Sequence, residues 1–209
     1  MYYYILIIIY IASSFSNGFI FTSYPLKENM ELTNSASSAL KKFFLYLTKE
    51  EGMGCKKCTM ILNAFNWVHK INNNEIQKLF KDENISKDEF MNFEQFKKLA
   101  TKRIIQLENS IEKRFKMVSK GQIMITLKEL IIVLRSLHIQ FTEDNVIELV
   151  SHVNDKVPER IIMEDKGAQR IGMEAFRKIF TTIFHNNAVE LMDKKYGENA
   201  IIDLTYFNV

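Results

Sequence analysis

The oxygen-bearing side chains whose spacing suits chemistry are Asp82, Asn84, Ser86 and Asp88, at alternate positions, with Glu94 following. Alternating oxygens along a loop suit a calcium ion, which gathers ~6–8 of them. No Gly occupies the turn, Lys81 and Lys87 intrude, and Glu94 stands late for a closing carboxylate. The same stretch has a second reading. Ser86-Lys-Asp-Glu89 is a capping box, in which hydroxyl and carboxylate satisfy the open backbone donors where a helix begins, and it is the reading preferred here. Asn84-Ile85-Ser86 is also the chain's one N-glycosylation sequon, and a glycan on Asn84 would disfavour calcium.

Cys55 and Cys58 are the only two cysteines. In an oxidising compartment their spacing at a helix start could close a small disulfide ring. A zinc site needs four ligands and a thioredoxin-like site needs a strand–helix–strand setting; neither a second Cys pair nor a strand pattern is present. Catalysis finds no support. The four histidines, His69, His138, His152 and His185, form no His-Glu-x-x-His pair, and there is no Gly-rich phosphate loop and no Gly-x-Ser-x-Gly elbow. The chain is read as no enzyme.

These residues need a scaffold, and composition says which. In 209 residues, 47% are hydrophobic, and only 7 Gly and 2 Pro punctuate the chain, which favours long helices over a many-stranded sheet. The length suits one large domain or two small lobes. A net charge of +3, from 28 basic and 25 acidic residues scattered along the chain, does not support nucleic-acid binding. Residues 1–16 carry no charged side chain. Their apolar run Ile5 to Ile11 and the small residues Ala12, Ser13 and Ser14 read as a signal peptide cleaved near Ser14 or Ser16, too short for the ~20 apolar residues of a membrane span. The mature chain is then expected in the secretory pathway or outside the cell, without a transmembrane span. If residues 1–16 are not a working signal, the location is cytoplasmic.

A short pattern recurs four times: Met53-Gly-Cys-Lys-Lys-Cys58, Met91-Asn-Phe-Glu-Gln-Phe96, Ile125-Thr-Leu-Lys-Glu-Leu130 and Ile171-Gly-Met-Glu-Ala-Phe176. The fifth residues, 57, 95, 129 and 175, are 38, 34 and 46 apart, the period of a helix–loop–helix unit with one insertion. Each copy precedes a helical apolar stripe, such as Leu130, Ile131, Leu134 and Leu137, or Phe176, Ile179, Phe180 and Ile183. Each also follows a shorter amphipathic run: Leu40, Phe43, Phe44, Leu47; Ile76, Leu79, Phe80; Ile111, Phe115, Val118; Ile147, Val150, Val153.

The stretch Thr126 to Leu137, with Phe141-Thr-Glu-Asp, Ile147 and Val150, resembles the loop exit, helix and next helix of the calmodulin and myosin light-chain family, over roughly residues 38 to 184 on the four-unit count. That resemblance implies an all-α fold of two lobes, each a pair of EF-hand-like helix–loop–helix units, joined by a connecting helix over 97–112. The expected division is a signal peptide 1–16, a linker 17–37, an N-terminal lobe 38–103, a C-terminal lobe 104–184 and an extension 185–209. None of the four loops carries a full calcium ligand set. The first ends in Lys57, the third keeps only Glu129, and the fourth has an insertion and Ala175 at the last position.

The function expected from this combination is a non-catalytic, calcium-independent adaptor that grips an amphipathic helix of a partner protein. Met60, Phe65, Trp67, Met124 and Phe180 are its candidate groove residues, though such stripes equally build cores. The alternative is a secretory-pathway calcium-binding protein that uses the second loop. No cofactor is expected under the first reading and calcium under the second.

Overall fold

A computed structural model of the chain describes residues 21, 23–48, 52–64, 73–82, 84–86, 90–137, 141–153 and 169–196. The chain divides into two compact units, Glu108–Asn187 and Met1–Leu107 with Ala188–Val209. Its described residues are mostly helical, as the scarcity of Gly and Pro predicts, and they add two small antiparallel sheets of two strands each.

The first unit starts on a packed turn. Leu26 and Leu32 form a β-bridge and are buried, the Lys27 amide donates to the Glu31 carbonyl at 2.7 Å, and Thr33 caps the first helix through its hydroxyl, which accepts from Ala36 N at 3.2 Å. Helix α1 (Asn34–Thr48) thus begins inside the stretch read as a linker. It buries Leu40, Phe43, Phe44 and Leu47, the spacing of one helical face. Strand β1 (Met53–Gly54) pairs with β2 (Phe90–Met91), Met53 opposite Met91, and leads into α2 (Cys55–Ala64). Gly52 turns the chain into β1 with φ +87°, and a Cβ there would lie 2.9 Å from Phe90 Cβ and 3.2 Å from the Met91 carbonyl. Only glycine fits both demands.

Helix α3 (Asn73–Asp82) precedes β2, and α4 (Phe93–Ser119) follows it. Asn92 Oδ1 accepts from Gln95 N at 3.0 Å and Gln95 Oε1 from Asn92 N at 3.0 Å, a reciprocal cap that starts α4. The box read at Ser86–Glu89 therefore does not open this helix: Phe90–Met91 is a strand, and the helix begins three residues later than that strand's first residue. The core of the unit gathers Phe44 and Phe96 at 5.3 Å between ring centroids, with Phe43 6.4 Å from Phe96 and Phe93 5.7 Å from Phe44. Each buried phenyl ring stabilises by ~1.5–3 kcal/mol relative to exposure.

From Glu108 onward α4 belongs to the second unit, which continues with β3 (Met124–Thr126), α5 (Leu127–Ser136), α6 (Glu143–Val153), β4 (Arg170–Gly172) and, as far as Asn187, α7 (Met173–Tyr196). Strands β3 and β4 pair with Ile125 opposite Ile171. Ile111 and Phe115 of α4, Leu130 and Leu134 of α5, Val146 and Val150 of α6, and Phe176, Ile179 and Phe180 of α7 are buried together. Phe115 meets Phe176 edge-on at 5.3 Å, and Phe176, Phe180 and Phe184 stack along α7. Helix α7 runs unbroken past the expected end of the C-terminal lobe at 184 and into the expected extension, because no Gly or Pro interrupts the chain between Met173 and Tyr196.

The repeat read from the sequence has a structural meaning. Its four first residues, Met53, Met91, Ile125 and Ile171, are the two buried cross-strand pairs, and its sixth residues, Cys58, Phe96, Leu130 and Phe176, drop into the cores from the first turns of the helices that follow. All eight are 0% exposed.

Candidate functional site

The second loop opens at the end of α3. Asn84 holds a left-handed conformation with φ +52°, its amide donates to the Lys81 carbonyl at 3.0 Å, and the Ile85 amide reaches back to the Phe80 carbonyl at 2.9 Å. This is a Schellman cap, completed by Phe80 and Ile85, both buried. Asn84 is there because asparagine tolerates the left-handed backbone that a helix C-terminus uses. Asp82, Asn84 and Ser86 are exposed and Glu94 is exposed on the first turn of α4, while Asp88 lies outside the described residues. Among the described residues no group of three His, Cys, Asp or Glu side chains is placed to hold a metal ion.

The other loops put intrachain groups where ligands were sought. In the first, the Lys57 ammonium donates to the Leu47 carbonyl in the last turn of α1, so a fixed cation satisfies an open carbonyl of that helix end. In the third, Lys120 (φ +49°) and Gly121 (φ +86°) turn the chain, and the Gln122 amide donates to the Ser119 carbonyl at 2.8 Å. The surviving carboxylate, Glu129, accepts from the Thr126 amide at 2.7 Å and from its hydroxyl at 3.0 Å, while the Thr126 hydroxyl accepts from Glu129 N at 3.3 Å. That is a full capping box at the start of α5. The insertion of the fourth loop lies outside the described residues, and Ala175 sits on the first turn of α7.

Cys55 and Cys58 are both thiols here, on the first turn of α2. Cys55 is half-buried and its thiol donates to the Ser86 carbonyl at 3.3 Å. Cys58 is wholly buried, and that burial first, then the neighbouring Cys55, pushes its thiol far above the ordinary range. The two therefore differ in reactivity, since the thiolate is the nucleophile.

Of the expected groove residues, Met124 and Phe180 have described side chains. Met124 is 45% exposed on β3. Phe180 is fully buried in the α7 stack and offers no surface in this arrangement. Met60 lies on α2, and Phe65 and Trp67 lie outside the described residues. Beside Met124, the next residue back, Ile123, is 85% exposed.

Sequence reasoning missed a buried ion pair of the second unit. Arg177 Nε donates to Glu108 Oε2 at 2.7 Å and Arg177 Nη2 to Glu108 Oε1 at 2.5 Å, with both side chains at most 5% exposed. A charged residue on the apolar side of two stripes, Glu108 beside Leu107 and Arg177 beside Phe176, was the available signal. No described helix is long and apolar enough to cross a membrane. No protein-family model, no curated protein and no solved structure matches the chain.

Proposed function

We propose that the chain is a non-catalytic adaptor of EF-hand-like architecture, whose two lobes are each a pair of helix–loop–helix units and which holds an amphipathic helix of a partner protein without calcium. The observation that carries this reading is the pairing of the four sequence repeats in twos, Met53 with Met91 and Ile125 with Ile171, each pair fully buried between an entering and a leaving helix. Calcium independence is supported by the loops themselves. Lys57 places an ammonium in the first, and the third commits Glu129 to a helix cap. A signal at residues 1–16 would put the adaptor in the secretory pathway or outside the cell.

The test is a displayed library of amphipathic helical peptides of ~18 residues, long enough to place i, i+3, i+4 and i+7 anchors over several turns, selected against the full chain in chelator and again in calcium. A helical class enriched in both conditions, with equal affinity in solution, is the expected result. Enrichment in calcium alone would favour the calcium-binding alternative, and no enrichment in either would remove the adaptor reading.

A further inference from the structure

Where α2 begins and α3 ends, the first unit carries a cavity of about 740 Å3, within the ~300–1,000 Å3 that accommodates small organic ligands. Phe80 and Ile85, 7% and 6% exposed, supply its apolar floor. Cys55 lines it at the first residue of α2, and the ammonium-bearing side chains of Lys56, Lys78 and Lys81 line it as well. Among the described residues no carboxylate lines it. Among the described residues none of these three lysines forms an ion pair, whereas Lys27 and Lys116 are paired with Glu31 and Glu112. The open amide groups at the start of α2 add partial positive charge of the same sign. A second cavity of the same unit, about 610 Å3, differs: Glu31 and Glu94 line it beside four lysines, so its positive charge is partly offset.

We propose that the cavity between α2 and α3 binds a small organic anion with an apolar chain, of the medium-chain carboxylate class, its carboxylate among Lys56, Lys78 and Lys81 and its chain over Phe80 and Ile85. Binding of such an anion does not depend on a helix-binding groove. Three like charges around one apolar recess repel each other, and an anion relieves that repulsion while its chain covers the recess. Cys55 becomes a reporter of occupancy, because a chain in the cavity covers its thiol.

The test titrates decanoate into the full chain by calorimetry and follows iodoacetamide alkylation of Cys55 by peptide mass. Decylamine and decanol serve as probes of the same chain length. Saturable one-site binding of decanoate that slows Cys55 alkylation is expected, weakened about tenfold in the exposed triple variant Lys56→Gln, Lys78→Gln, Lys81→Gln, with helicity unchanged and decylamine inert. Equal affinity for decanol, an unweakened triple variant or an absence of saturable binding would overturn the proposal. Lysine-dependent binding to anionic vesicles without binding of the dissolved carboxylate would overturn it too, by making the patch a membrane contact.

Discussion

Glu108 and Arg177 stand 69 residues apart and meet inside the second unit, charge against charge with two hydrogen bonds. Removing one partner leaves a buried charge uncompensated, so Glu108→Ala or Arg177→Ala is expected to lower stability by about 3–5 kcal/mol, whereas the apolar double variant Glu108→Leu with Arg177→Met recovers most of it. Urea unfolding of the three variants checks this, and two equal single losses that simply add in a Glu108→Ala, Arg177→Ala variant would contradict it. Gly52 works through the backbone. A side chain at φ +87° and 2.9 Å from Phe90 Cβ has to displace β2, so Gly52→Ala is expected to cost about 1–3 kcal/mol, measurable in the same unfolding experiment. Neither feature was read from the sequence. A charge inside an apolar stripe reads as a solvated neighbour until its distant partner is placed, and a glycine's φ is a property of the folded turn.

At the scale of elements, the helices were legible because a buried face repeats over three or four turns, as Leu40, Phe43, Phe44 and Leu47 do. The strands were not. Two or three residues are too few for alternation to register, and Met53, Met91, Ile125 and Ile171 were read only as the opening residues of a repeat. Caps decide where helices start, and the box read at Ser86–Glu89 is not the one that opens α4: strand pairing at Phe90–Met91 leaves that role to Asn92 and Gln95. Thr126→Ala is expected to destabilise by ~1 kcal/mol, since it removes the hydroxyl that accepts from Glu129 N and donates to Glu129 Oε2 while leaving the Thr126 amide bond in place. Asn84→Gly is expected to be neutral or stabilising and Asn84→Val destabilising by about 1–2 kcal/mol, because the left-handed cap tolerates glycine and penalises a β-branched side chain. Thermal unfolding of the four proteins ranks them. An Asn84→Val as stable as the parent would refute the cap.

Over the whole molecule, four copies of one pattern yield two cores, each sealed by its own strand pair and its own aromatic cluster. The recurrence itself was written in the spacing of the repeats; the strand pairing was not. Which loop positions would serve as ligands was not, because a carboxylate such as Glu129 and a cation such as Lys57 reveal their partners only when Thr126 and Leu47 come within reach. Cys55 and Cys58 separate in the same way: brief iodoacetamide treatment of the folded chain is expected to label Cys55 and spare Cys58 until denaturant exposes it, as burial keeps Cys58 in its thiol form. The central claim is a scaffold set by its own side chains rather than by calcium. Its most direct test is a calorimetric titration of Ca2+ into the chain from residue 17 onward, beside Asp82→Ala and Asp88→Ala controls. No binding heat and unchanged helicity are expected. Micromolar binding abolished in both controls would contradict the claim and make the second loop a calcium site.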